Sequence, residues 1–354
     1  LTQKRGVNYM KQVKLVGEKE FEFNKVSIPK VNPEQVLIKV KACGICGSDI
    51  HSYKGKHPFV DPPIVLGHEY LGIVEKKGSK VSSNIEVGDL VTSELALNCG
   101  ECYNCRQGRP QICKNAKHLG NVGKDGAMQE YFTMRADKVH VLPDDATKVE
   151  GVMTEPTAVG VHAVRKSKFT VGDTVLVIGA GVIGNLTAQV LSAAGADKVI
   201  VAEMKEGRIE KANEVGLETT VNTGKSDLSA WLNKNIGTEN LDLIYDCVGI
   251  EATLNMAIEN ARKGSQIMLV GVPEEDLTLN MAFVQDRELD ISGTLQYIRE
   301  DFSRAINLIA SDKVDVKPLV TNSYPFLEYK TAFETAIDQA KATKGMMKVM
   351  LDYD

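Results

Sequence analysis

The chain has 354 residues, 43% of them hydrophobic and 25% charged, a length beyond what one hydrophobic core commonly organises and the composition of an ordinary globular protein. A formal net charge of -5 without a basic cluster excludes nucleic acid or an acidic membrane surface as the main partner. No apolar run reaches about 18 residues and the basic N-terminal residues precede no apolar stretch, so neither a membrane span nor a secretory signal is read and the cytoplasm is the expected location.

In chain order, Leu1 is not an initiator and Met10 opens a strand-like segment, so residues 1–9 read as an extension with no part in the fold. Residues 10–95 read as short β segments punctuated by Gly and Pro: Gln35-Val36-Leu37-Ile38-Lys39-Val40 alternates, and Gly72-Ile73-Val74-Glu75 and Asp89-Leu90-Val91-Thr92 follow turn signals. Residues 94–120 form a long excursion from this β module, and 126–141 return to strand pattern before Pro143. From Thr154 the texture changes. Glu155-Pro156 opens a helical stretch through His162 to Lys166, and Val175-Leu176-Val177-Ile178 is the continuous apolar run of a strand buried on both faces of a parallel sheet. Strand-like runs recur at 199–202, 220–221, 241–247, 266–270 and 290–293 with helix-length spacers, which predicts a doubly wound α/β sheet. Helices are predicted at about 299–311 and 328–342. The apolar segment 346–351 has no place in a parallel sheet and is predicted to cross back and finish the β module.

Seven cysteines, clustered and with no export signal, read as thiols or metal ligands rather than disulfides. Cys99, Cys102, Cys105 and Cys113 form C-x2-C-x2-C-x7-C, four thiolates close enough to wrap one tetrahedral zinc, with a redox or iron–sulfur role as the alternative. Cys43-Gly44-Ile45-Cys46-Gly47-Ser48-Asp49-Ile50-His51, taken with Gly67-His68-Glu69, offers a thiolate, an imidazole and a carboxylate. Those are the ligand types of a zinc that keeps one position open for chemistry, although a Cys and a His at this separation also occur as unrelated core residues.

Gly179-Ala180-Gly181-Val182-Ile183-Gly184 stands between a buried strand and a helix at 185–194, as a dinucleotide motif demands. Its glycines let the backbone turn tightly and approach a pyrophosphate resting on the helix N-terminus. Glu203, about 20 residues on at the end of the next strand, would accept hydrogen bonds from ribose hydroxyls and repel a 2′-phosphate, favouring NAD over NADP. The alternative leaves Glu203 facing solvent with Arg208 pairing it. Gly179, Gly181, Val182, Ile183, Gly184, Glu203 and Arg208 are the expected cofactor-binding residues.

In this order and spacing the three signals resemble the zinc-dependent medium-chain dehydrogenase/reductase family, from about residue 11 to 352. The 43–51 and 67–69 motifs, Thr154-Glu155-Pro156 and Val159-Gly160-Val161-His162-Ala163 are most similar to its sorbitol (iditol) dehydrogenase branch. The resemblance implies an α/β architecture in three parts: a GroES-like catalytic β domain at 10–155 with a structural-zinc lobe at about 94–120, a Rossmann NAD-binding domain with a doubly wound parallel sheet at 156–294, and a return segment at 295–354 completing the catalytic domain. By position it implies a catalytic zinc on Cys43, His68 and Glu69 and a structural zinc on Cys99, Cys102, Cys105 and Cys113. Ser48, His51 and Glu155 fall on catalytic positions, and Tyr53, Phe59, Gln296 and Tyr297 fall where the branch lines its substrate pocket. At 296 the branch usually carries Arg, and Gln removes that fixed cation.

The implied reaction is zinc-dependent oxidation of a secondary alcohol of a polyol to a ketose with NAD. Zinc would make the hydroxyl easier to ionise, Ser48 would take its proton and pass it through the cofactor ribose and His51 towards solvent, and the nicotinamide would accept the hydride. Oxidation of a polyol phosphate or of L-threonine, and non-catalytic sensing of NAD, are the alternatives. Partners are a polyol and a second copy of the chain, since Leu277-Thr278-Leu279-Asn280-Met281 reads as an alternating edge strand that would template a homodimer or homotetramer.

Overall fold

The computed structural model describes residues 9–338 and 344–354. The expected 1–9 extension therefore lies outside the described residues except for Tyr9, which opens the strand Tyr9–Gly17. Positions 339–342 of the last predicted helix also lie outside them, its described part being Tyr329–Asp338. The chain divides into two compact units, one built from residues through Glu155 with Asn322–Asp338 and Lys348–Asp354, the other from Pro156–Thr321 with the described part of 339–347.

The first unit is organised on the strand Gln35–Ile45, which pairs antiparallel with Glu69–Lys77, Tyr131–Arg135 and Lys348–Asp352. Val36, Leu37 and Ile38 are all buried, so this strand is covered on both faces and carries little exposed alternation. The return strand Lys348–Asp352 sets Val349 opposite Ile45 and Leu351 opposite Cys43. Its apolar 349–351 run is buried there, which is why the chain crosses back rather than ending beside the parallel sheet.

The second unit holds a six-stranded parallel sheet in the order Thr220–Asn222, Lys198–Glu203, Thr174–Ile178, Leu243–Asp246, Gln266–Leu269, Asp290–Gly293. Leu176, Ile200, Ile244 and Ile267 are fully buried at its centre. Strand order reverses between Thr174–Ile178 and Leu243–Asp246, the place where such sheets open a crevice for a ligand at their carboxyl ends. Among the described residues, no helix is long and apolar enough to cross a membrane.

Three local expectations change. The helix predicted to open at Glu155-Pro156 runs from Lys148 to Lys166 with Pro156 inside it. Its start is written in Thr147-x-x-Glu150: Glu150 Oε2 accepts the Thr147 N–H at 2.8 Å while Thr147 Oγ1 accepts the Glu150 N–H at 3.3 Å, a capping box that overrides the stop signal of the proline. Residues 295–321, expected in the return segment, group instead with the parallel-sheet unit, because Asp301 is tied to His162 and Arg165 there. Finally, Leu277–Met281 is not a strand in this chain. Leu277 and Leu279 do alternate onto the core, but the N–H groups that follow each of them are bonded by side chains, Thr278 N–H to Glu251 Oε2 at 2.9 Å and Asn280 N–H to Asn255 Oδ1 at 3.0 Å.

Candidate active site and metal centres

Strand Gln35–Ile45 ends in a turn into the helix Gly47–Tyr53, and Cys46 stands at that turn with extended backbone. The helix is closed at its start by Asp49, whose Oδ2 accepts the Cys46 N–H at 2.8 Å. The other carboxylate oxygen accepts the Gly67 N–H at 3.2 Å and faces His68 Nδ1 at 3.9 Å. One buried carboxylate thus fixes the turn carrying Cys46 and the segment carrying His68, and leaves Nε2 of His68 as the ring nitrogen for a metal.

Cys46, His68 and Glu69 bring a sulfur, a ring nitrogen and a carboxylate oxygen to within 4.8 Å of one another. This corrects the expectation that Cys43 supplies the thiolate. Cys43 lies inside the strand, opposite Tyr70 and Leu351, fully buried, with its thiol donating to the Gly44 carbonyl at 3.4 Å. Burial pushes that thiol up, and the Asp49 and Glu69 carboxylates push it further. The pleat holds a mid-strand side chain in the core, whereas the residue at the strand-to-helix turn is free to face His68. The pattern Cys46-x-x-Asp49 marked that turn in the sequence.

Two more residues complete the neighbourhood. Lys348, buried on the return strand, places Nζ 2.6 Å from Glu69 and donates to the Ile45 carbonyl at 3.3 Å. Burial favours its neutral form, but the Glu69 carboxylate and Cys46 outweigh burial and hold it protonated. Glu155 is buried on the helix Lys148–Lys166 and acts electrostatically on both His68 and Lys348. For His68, burial pulls the imidazole down, and Asp49, Cys46 and Glu155 more than reverse it. A metal would have to displace that proton. Nitrogen, sulfur and oxygen donors gathered in a buried site fit a zinc centre.

Ser48 and His51 are three residues apart on the helix Gly47–Tyr53, hence on one face, and both are half-buried. Tyr53 and Phe59, expected in the substrate pocket, part company. The Tyr53 ring stacks on Phe21 at 5.1 Å and leans on Phe333 at 5.5 Å, so it packs into an aromatic cluster. Phe59 is 73% exposed. Gln296 and Tyr297 belong to the other unit, where Tyr297 is buried against Phe302.

In the cysteine lobe the four sulfurs of Cys99, Cys102, Cys105 and Cys113 lie within 4.8 Å of one another. Adjacent pairs are 3.4 Å (Cys99–Cys113), 3.5 Å (Cys102–Cys105) and 3.8 Å (Cys102–Cys113) apart. A tetrahedron with Zn–S bonds of about 2.3 Å has edges of about 3.8 Å, so four thiolates here fit one closed zinc site. Backbone N–H groups of Cys105 and Lys114 draw the Cys102 thiol down to about 6, and burial pushes Cys113 up to about 11.

At the nucleotide motif, Gly179 has φ +94°, and a Cβ on Gly184 would stand 1.8 Å from the Gly179 carbonyl oxygen, so only glycines permit this turn. The helix Val182–Ala193 follows with Gly181 as its N-cap and Ile183 in its first turn. Glu203 is buried and does not face solvent. Its carboxylate accepts the N–H groups of Ala180, Met204 and Lys205, each at 2.9 Å, with Arg208 Nη1 3.7 Å away. Of about four acceptor sites on a carboxylate, one remains for a ribose hydroxyl.

Two family models match: the alcohol dehydrogenase GroES-like domain over residues 32–144 and the zinc-binding dehydrogenase domain over 182–311. The sorbitol dehydrogenase of Bacillus subtilis is 33% identical over 93% of this chain and 94% of its own length. The chain belongs to the zinc-dependent alcohol dehydrogenase family. A D-arabitol-phosphate dehydrogenase of Enterococcus avium is 32% identical over 91% of this chain and 92% of its own. A zinc-binding dehydrogenase of Sinorhizobium meliloti, solved with NADP, matches with a TM-score of 0.89 at 29% identity, over 98% of this chain and 100% of that one. As a member of the family, this chain is an oxidoreductase using zinc and a nicotinamide cofactor, with a GroES-like β unit and a Rossmann unit.

Proposed function

We propose that the enzyme oxidises a secondary hydroxyl of a polyol to a ketone with NAD as the hydride acceptor. The observation that carries this reading is the full-length match to a sorbitol dehydrogenase, joined to a site in which Glu69 and Glu155, two buried carboxylates, share the neighbourhood of Cys46 and His68. Cys46, His68 and Glu69 would hold the catalytic zinc, with Asp49 orienting His68. Zinc, when bound, supplies the positive charge that favours the ionised form of a substrate hydroxyl. Ser48 takes the hydroxyl proton while giving up its own towards His51, on the same helix face, which releases a proton to solvent. The glycine turn at 179–184 seats the pyrophosphate, and Glu203 binds the adenosine ribose. An activity screen with NAD over sorbitol and other polyols, their phosphates and L-threonine tests the reading, and turnover of none of the polyols would overturn it. The match to an arabitol-phosphate dehydrogenase favours a polyol phosphate as the second reading, and the same screen separates the two.

Gln296 supports a polyol over a simple alcohol, because an amide both donates to and accepts from hydroxyls. Gln296→Leu is expected to lower kcat/KM about tenfold or more for sorbitol while changing it less than about threefold for propan-2-ol, since sites built to pair hydroxyls discriminate strongly against analogues lacking them. Steady-state kinetics on the two alcohols check this, and equal losses would refute the role.

Glu203 supports NAD over NADP. The NADP-bound neighbour and Arg208 beside Glu203 make this preference worth direct measurement. The unmutated enzyme is expected to favour NAD by about tenfold or more in kcat/KM, and Glu203→Ala to narrow that ratio by removing the repulsion of a 2′-phosphate. Equal use of both cofactors before mutation would remove Glu203 from the role. A homo-oligomer is also proposed, because Val272, Met281 and Leu295 of the parallel-sheet unit leave apolar side chains at least half exposed. Sedimentation at micromolar concentration tests it, and a monomer would count against it. The seven cysteines, none of them in a disulfide, suit a reducing cytoplasm.

A further inference from the structure

The parallel-sheet unit contains a buried charged cluster that neither metal centre uses. Asp301, fully buried, accepts from His162 Nδ1 at 2.7 Å, from Arg165 Nε at 2.5 Å and Nη2 at 3.1 Å, and from the backbone N–H of Ile298 at 3.1 Å. His162 is itself 1% exposed, and its Nε2 has no hydrogen-bond partner among the described residues. The imidazole and the guanidinium outweigh burial and hold Asp301 well below the usual carboxylate range, so the cluster is a charged anchor.

What it anchors is the segment just before the helix Arg299–Ala310. Gln296 has φ +51°, a left-handed conformation that residues other than glycine rarely adopt and that persists only where the surroundings enforce it. Two constraints follow that residue directly. The Tyr297 ring is buried edge-on to Phe302 at 5.2 Å, and the next N–H, of Ile298, is bonded to Asp301. Asp301 in turn is held from the helix Lys148–Lys166, on which His162 and Arg165 share a face three residues apart.

We infer that His162 and Arg165 are positioning residues for substrate selection: through Asp301 they hold Gln296 and Tyr297 in the conformation that meets the hydroxyls of the substrate. The inference rests on the readings above that Gln296 pairs the hydroxyls of the polyol and that Tyr297 falls at a substrate-pocket position. Neither His162 nor Arg165 touches the reacting atoms. Losing a charge-assisted bond to a buried carboxylate loosens the segment, and a loosened segment costs affinity for the substrate that needs it.

The test uses the full-length zinc-loaded enzyme and the variants His162→Ala, His162→Asn and Arg165→Gln. Asn can place an N–H donor where Nδ1 of the imidazole stood, and Arg165 is partly exposed, so Arg165→Gln keeps the test available should a change at the buried 162 prevent folding. His162→Ala and Arg165→Gln are expected to raise KM for sorbitol about tenfold with kcat changed less than about threefold. The NADH dissociation constant and kcat/KM for propan-2-ol should stay within about twofold, and His162→Asn should recover most of the sorbitol KM. Amide hydrogen exchange at Ile298 should accelerate about tenfold in the first two variants and return towards normal in His162→Asn. Equal losses on both alcohols, or unchanged exchange at Ile298, would overturn the inference. If the unmutated enzyme oxidises no polyol, the functional reading fails by itself, and exchange at Ile298 alone decides whether the anchor holds.

Discussion

Cys46→Ala is expected to remove the catalytic zinc and lower kcat/KM by about 10³ or more, whereas Cys43→Ala should keep both zinc and turnover to within a few fold. The contrast follows from geometry. Cys46 shares a 4.8 Å neighbourhood with His68 and Glu69, while the Cys43 thiol is spent on the Gly44 carbonyl inside the core. Cys43→Ala deletes one buried sulfur and should cost about 1 kcal/mol of stability, a packing loss that leaves the site standing. Metal analysis beside steady-state kinetics checks both arms, with one zinc retained in Cys46→Ala by the cysteine lobe. Loss of turnover in Cys43→Ala with normal kinetics in Cys46→Ala would reverse the assignment.

The second large effect belongs to the lobe. Cys102→Ser should release the structural zinc and lower the melting temperature by about 5 °C or more. A closed four-thiolate site contributes folding energy, roughly 10 kcal/mol or more in small zinc domains, and a few kcal/mol move the midpoint of a chain this size by several degrees. The helix Tyr103–Arg106, which carries Cys105, buries no residue, so zinc rather than packing would hold that stretch. Zinc content should fall from two to one per chain, and protease cleavage should appear between 99 and 113. Two zincs and an unchanged midpoint in the variant would mean that the four sulfurs do not bind a metal.

Several features were legible because each rests on local chemistry. C-x2-C-x2-C-x7-C brings four sulfurs together through one short helix and one turn, so spacing alone predicts the cluster. The glycines at 179 and 184 declare a turn that no other residue can make, between an apolar strand and a helix that sequence pattern also shows. Val175–Ile178 is a continuous apolar run, and each of the six parallel strands overlaps a strand-like run of the sequence. The expected alternation at 277–281 exists too, but a strand also needs a partner backbone. Here the nearby Glu251 and Asn255 side chains take the N–H groups instead.

The sequence by itself determined the two kinds of unit, the cysteine lobe, the dinucleotide turn and the residue types of the catalytic site, because propensity, periodicity and short-range spacing encode all of these. Which of two cysteines three residues apart faces His68 was decided by tertiary structure, since the pleat of a strand pinned at Tyr70 and Leu351 buries Cys43 and frees Cys46. The same holds for Lys348 against Glu69, 279 positions apart, and for His162 and Asp301, 139 apart. A charge pair at such separations leaves no periodic mark on the chain. It forms only because burial makes an unpaired charge too costly, and the fold alone determines which opposite charge lies within reach.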